Sequence, residues 1–222
     1  MSRIPNPPTK LQTVEGKTMS LTAYRSKRAF AKTPEPAGGA RRGSRSRNFV
    51  VQEHDASRLH YDFRLAANGV LASWAVPKGP SMNPADKRLA VRTEDHPLEY
   101  AKFGGVIPPG QYGAGSVMVW DFGKYKSPED RPPEEQLASG KIHVVLLGEK
   151  LRGEFTLIKL ERQSKNSSRR DYWLLIKSRD EYADPSWDIE SPRFDYSVLT
   201  GRTLEEIRDG KPIKRRSARR RV

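Results

Sequence analysis

The chain of 222 residues contains no cysteine. That absence excludes a disulfide framework, a thiolate nucleophile, Cys-based zinc sites and iron–sulfur clusters. Any metal must therefore be held by imidazole nitrogen and carboxylate oxygen. Long apolar runs are missing too: residues 144–147 and 173–176 are typical maxima, far from the ~18 residues of a membrane span. Met1-Ser2-Arg3-Ile4-Pro5 has no apolar stretch of the secretory kind, so the expected compartment is the cytoplasm, with no membrane partner. Hydrophobic residues total only 35%, which leaves part of the chain outside a packed core.

What the chain does have is positive charge, and it is unevenly placed. The formal charge is +14, and residues 1–48 carry +9, residues 211–222 carry +7, and residues 49–210 carry −2. Such ends are either solvated or drawn to phosphate, where each neutralised phosphate releases counterions. A polyanionic partner is the expectation, and composition alone leaves DNA, RNA and acidic lipid open.

Residues 1–22 lack periodicity and read as a flexible basic arm, and 33–48, rich in Pro, Gly, Ser and Arg, as a second flexible link. A short helix is predicted over 24–32, cut off by Pro34. From Phe49 the texture changes to short runs of Val, Ile, Tyr, Phe and Trp. Strands are predicted at 49–53, 59–65, 70–76, 89–93, 116–122, 141–147, 154–160 and 172–177, with Asn68-Gly69 as a hairpin turn. Short helices are expected at 132–139 and 203–209. Eight short strands without 12-residue helical patterns between them predict an all-β fold, an antiparallel eight-stranded β-barrel with a few short helices and basic flexible termini. The expected division is an arm at 1–22, one domain at 23–205 with its core at 49–185, and a basic tail at 206–222.

Of four histidines, His54, His60 and His96 fall within 43 residues. In Leu59-His60-Tyr61-Asp62-Phe63-Arg64-Leu65, strand periodicity puts His60, Asp62 and Arg64 on one face and the apolar residues on the other. Imidazole, carboxylate and guanidinium in one row suit a metal with a bound oxyanion. His54 joins them only if Asp55-Ala56-Ser57-Arg58 forms a turn; taken alone, His54 reads more simply as a satisfied barrel histidine. Two histidines and a carboxylate also describe the facial triad of non-haem iron oxygenases, and spacing leaves both chemistries open. Arg64 and the cationic ends favour a phosphoryl substrate. His96, in Glu94-Asp95-His96-Pro97, is either a loop acid–base group whose acidic neighbours raise its basicity or a plain surface histidine. His143 reads as an exposed strand residue without a role.

Several ordered blocks carry a resemblance. Phe-Val-Val-Gln-Glu-His (49–54), Arg-Leu-His-Tyr-Asp-Phe-Arg-Leu (58–65), Ser-Trp-Ala-Val-Pro-Lys-Gly-Pro (73–80), Glu-Asp-His-Pro-Leu-Glu-Tyr (94–100) and Gly-Val-Ile-Pro-Pro-Gly-Gln-Tyr-Gly-Ala-Gly (105–115) resemble the 3′-phosphoesterase domain family of bacterial ligase D, the end-joining DNA ligase. The likeness covers roughly residues 24–185. It implies a Mn²⁺-dependent hydrolase that trims a 3′-terminal ribonucleoside and then removes the remaining 3′-phosphate in double-strand break repair. It assigns metal binding to His54, His60 and Asp62, and catalytic or phosphate contacts to Arg64, His96 and Tyr100. The family's Arg-Asp-Phe-x-x-Thr-Pro-Glu-Pro segment matches residues 28–36, with Arg28 and Glu35 present and Ala29 in place of the acid. The implied partners are DNA or RNA/DNA primer-template 3′ ends and separately encoded ligase, polymerase and Ku proteins, for a free-standing, nucleoid-associated monomer. Two rival expectations stay open beside it, a catalytically inactive nucleic-acid-binding barrel and an iron oxygenase.

Overall fold

The computed structural model describes residues 20–39, 46–161 and 171–214. Ten strands lie in one antiparallel sheet: β1 (Asn48–Asp55), β2 (Leu59–Ala67), β3 (Val70–Val76), β4 (Lys87–Arg92), β5 (His96–Pro97), β6 (Gly105–Ile107), β7 (Gly115–Lys126), β8 (Lys141–Leu147), β9 (Arg152–Lys159) and β10 (Tyr172–Lys177). Eight of them form a ring in the order β1-β2-β3-β4-β10-β9-β8-β7, closed by pairing of β7 with β1. These eight are the strands that the apolar runs predict. The two extra strands, β5 and β6, span two and three residues and are too short to leave a periodic signal. The ring is uneven, because β3–β4 and β7–β8 share only two and three residue pairs.

Local chemistry explains the turns and helices. Asn68 and Gly69 both take positive φ (43° and 81°), the twist that a two-residue hairpin loop between β2 and β3 requires. Helix α1 covers Thr22–Ser26, shorter than the expected 24–32. Helix α2 (Pro133–Ser139) starts on proline and ends at left-handed Gly140, and α3 (Leu204–Arg208) carries a Thr203/Glu206 capping box. Ile207 is buried in the main core, so packing continues past residue 205.

The strands bury their faces differently, and this positions the site. On β8, β9 and β10 burial alternates, inward residues buried and outward ones open. The inward set includes Phe63, Trp74, Trp120, Phe155 and Trp173. Complete burial of a Phe-sized side chain is worth about 1.5–3 kcal/mol. Strands β1 to β3 are instead buried on both faces. A second cluster, Tyr24, Val50, Ala66, Leu71, Tyr100, Ala101 and Val119, packs on their outer side. It draws in the segment expected to be a flexible link: Thr33 and Glu35 are buried and the Tyr24 hydroxyl donates to Pro36 O at 2.7 Å. Ion pairs and hydrogen bonds, rather than an apolar pattern, hold that segment down. The rest of that link, 40–45, and most of both basic ends (1–19 and 215–222) lie outside the described residues. Among the described residues no helix is long and apolar enough to cross a membrane.

Candidate metal centre

The β1–β2 hairpin sets His54 directly opposite His60 and Gln52 opposite Asp62. Side chains of alternate residues share a face, so His54, Gln52, His60, Asp62 and Arg64 stand together on the outer face of the ring. His54 Nδ1 lies 3.6 Å from Asp62 Oδ2 and His60 Nε2 3.8 Å from Asp62 Oδ1. One donor atom from each of the three falls within 4.8 Å of the other two.

Both imidazoles are oriented by backbone. His54 Nε2 donates to Gly113 O and His60 Nδ1 donates to Arg58 O, each at 2.9 Å. A carbonyl only accepts, so those nitrogens carry protons, and His54 Nδ1 and His60 Nε2 are the ring atoms that face Asp62. Gly113 takes φ +75°, a conformation that disfavours other residues at the point where its carbonyl meets His54. The donor set therefore fits a divalent cation: two imidazole nitrogens, one carboxylate and backbone carbonyls that fix the ring orientations.

Beneath it sits Arg64, 2% exposed. It donates through Nη2 to Asp62 Oδ2 at 3.0 Å and through Nε to Gln52 Oε1 at 2.7 Å, and its Nη1 lies 2.9 Å from His96 Nδ1. Burial pushes the Asp62 carboxyl up, but Arg64, with His54 and His60, holds it well below the usual carboxylate range. Gln52, which the sequence reading did not single out, also donates from Nε2 to Tyr100 O and Phe103 O. Its signal was its place two residues before His54 on the same strand face.

His96 and Tyr100 arrive from the chain beyond β4. β5 pairs with β3, setting His96 opposite Leu71, and the 3₁₀ turn at Leu98–Lys102 brings Tyr100 within 4.8 Å of the His96 ring, centroid to centroid. His96 Nδ1 donates to Glu94 O at 2.9 Å, and Arg28 Nη2 lies 3.4 Å from Nε2. Burial first, then Arg64 and Arg28, holds the His96 imidazole well below its ordinary value. The expected rise in basicity is thus reversed. The Glu94 carboxylate is taken by Lys27 and Arg28, and that of Asp95 by Arg92. Burial also pushes the Tyr100 hydroxyl well above its ordinary value.

The N-terminal segment closes over this layer. Arg28 lies 3.9 Å above the Tyr24 ring and donates to Glu35 Oε1 at 2.8 Å; Thr33 and Tyr100 donate to the same carboxylate. Arg28, Glu35, Tyr100, His96, Arg64 and Asp62 are thereby linked by successive contacts. Ala29 is exposed, and His143 pairs with Glu154 at 3.2 Å on the far strand β8.

Fold and centre together define an eight-stranded antiparallel ring that carries a His–His–Asp cation site and a buried guanidinium on its outer face. The model of the DNA ligase D 3′-phosphoesterase domain matches residues 52–159, and the chain belongs to that family. It is 49% identical over 188 residues to the multifunctional non-homologous end joining protein LigD of Pseudomonas aeruginosa, covering 83% of this chain and 22% of the relative. For the protein of the same name in Mycolicibacterium smegmatis the figures are 46% over 167 residues, 72% and 21%. For the multifunctional non-homologous end joining DNA repair protein LigD of Mycobacterium tuberculosis they are 48% over 140 residues, 63% and 18%. The chain thus spans about a fifth of the length of these relatives.

Proposed function

We propose that this chain is a divalent-metal-dependent phosphoesterase that heals 3′ ends of DNA or RNA/DNA primer-templates for double-strand break repair, removing 3′-phosphates and resecting 3′-terminal ribonucleosides. The observation that carries this reading is the His54–His60–Asp62 donor set, its imidazole rings oriented by Gly113 and Arg58, directly above buried Arg64. Membership of a 3′-phosphoesterase domain family supports the reaction class, and the relatives' names support the repair setting. Mn²⁺ is the proposed ion, since imidazole ligands suit a softer cation than oxygen-loving Mg²⁺.

When bound at His54 Nδ1, His60 Nε2 and the Asp62 carboxylate, such an ion supplies Lewis-acid polarisation of a phosphoryl oxygen. Arg64 keeps Asp62 ionised and commits two of its five N–H positions to Asp62 and Gln52; donors left over neutralise charge on the phosphate. His96, neutral and fixed by Glu94 O, orients the substrate. Tyr100 retains its proton at neutral pH and is available as a donor. Arg28 and Glu35 clamp the terminal nucleoside, a task in which orientation matters most. With Ala29 in place of the family's acid, ribonucleoside release is the slower of the two activities. The cationic ends, +9 over 1–48 and +7 over 211–222, add sequence-independent attraction to phosphate. The protein is further proposed to act at the nucleoid together with ligase, polymerase and Ku proteins.

The test is a time course with Mn²⁺ on two primer-templates, one ending in a 3′-phosphate and one in a single ribonucleotide. Release of phosphate that stops with a chelator is expected. Tight DNA binding without any metal-dependent turnover would overturn the enzymatic reading in favour of a binding barrel.

A further inference from the structure

Tyr112 lies between β6 and β7, next to the glycine whose carbonyl holds His54. The segment is tied by Gln111 N to Pro108 O (3.2 Å) and Ala114 N to Gln111 O (3.1 Å). The tyrosine is 49% exposed, unusual for a large aromatic beside a polar centre. Lys27 Nζ stands 4.6 Å and the Arg28 guanidinium carbon 5.5 Å from its ring centroid. Lys27 also donates to the Tyr112 hydroxyl at 3.2 Å and to Glu94 Oε2 at 3.1 Å. The ring is therefore held from the site side by cations and keeps open surface at the rim of the metal centre. A fixed, open aromatic face beside cations is the arrangement on which unpaired bases stack.

We propose that Tyr112 is a stacking platform for the terminal nucleobase of the strand whose 3′ end enters the centre, making it a specificity-determining residue. The identity of the ligand as a 3′ strand end rests on the phosphoesterase reading; the stacking is tested separately from turnover. Base–aromatic stacking changes affinity by roughly 5- to 150-fold per base. Stacking of this kind is sequence-tolerant because every base has a π-face, so the discrimination is between an end that bears a base and one that does not.

The experiment uses the full chain and a 3′-phosphorylated primer with 2-aminopurine as its terminal base, titrated with chelator present so that binding is read without turnover. The wild type quenches the fluorophore, Tyr112→Ala does not, and Tyr112→Phe, which keeps the ring and loses the Lys27 bond, still quenches. With Mn²⁺, Tyr112→Ala raises KM on the base-bearing end by about 5- to 150-fold and on a terminal abasic nucleotide less than twofold. Quenching retained in Tyr112→Ala, equal KM effects on both ends, or Tyr112→Phe behaving as Tyr112→Ala would each overturn the platform. If the wild type turns over neither primer, the phosphoesterase reading falls, and the quenching comparison still decides the stacking.

Discussion

Arg64→Met keeps an unbranched apolar stem and removes the guanidinium with its charge. In the native structure this guanidinium is the cation within hydrogen-bond reach of Asp62, which is only 8% exposed. The substitution leaves a buried carboxylate uncompensated, a change that costs about 3–5 kcal/mol. It also removes the donor to Gln52 Oε1. Against a typical stability of ~5–15 kcal/mol the variant still folds, measurably weakened. The pH dependence follows from the sign of the Asp62 shift. A folded pKa below the unfolded one gives stability that is complete above the ordinary carboxylate value and is lost as pH falls through the folded value. In Arg64→Met the buried carboxyl is pushed up instead, and its penalty disappears once it is protonated. The deficit should therefore be full at pH 7 and shrink by up to about 1.4 kcal/mol per pH unit on acidification toward pH 3. Urea unfolding in chelator-containing buffer at pH 7, 5 and 3 measures it. Adding Asp62→Asn should recover at least half of the loss at pH 7, because removing both charges is far cheaper than stranding one. A deficit under ~1 kcal/mol, one independent of pH, or a double variant as unstable as the sum of its parts would refute the reasoning.

Other outcomes are equally specific. His60→Ala should lose bound metal, read by elemental analysis after dialysis against Mn²⁺, and should lose activity, because it removes one of three donors; wild-type activity should be higher with Mn²⁺ than with Mg²⁺. Ala29→Asp should speed ribonucleoside release selectively, and equal effects on both primers would show that this position carries no specificity. Asp121→Ala strands the backbone N–H groups of Phe122, Glu149 and Leu151 and should cost about 3 kcal/mol or more in urea unfolding, with DNA binding by the folded protein unchanged. Deleting residues 215–222 removes five basic residues and should lower the log–log salt slope of DNA binding by up to about 4.5 units; an unchanged slope would mean that the tail does not touch phosphate.

The eight ring strands were legible because β-branched and aromatic runs bounded by turn residues are a local property of the chain. The parity of His60, Asp62 and Arg64 was legible for the same reason, and Asp55-Ala56-Ser57-Arg58 was enough to bring His54 back to them. The ordered blocks from 49 to 115 carried the family. The sequence did not disclose that β1, β2 and β3 are covered on both faces, or that Thr33 and Glu35 are buried within what reads as a loose link. Those facts depend on Arg28 meeting Glu94 across 66 positions and Glu35 meeting Tyr100 across 65. Such polar pairings leave no periodic trace, and Pro34, Pro36 and Gly38 nearby read as linker. The basicity of His96 was misjudged because its acidic sequence neighbours turn to Lys27, Arg28 and Arg92 while two guanidinium groups face the ring. Local chemistry by itself determined the strands and the donor row. Which groups are buried, and which charges meet them there, only the tertiary structure decided, because desolvation and long-range ion pairing are properties of the packed chain.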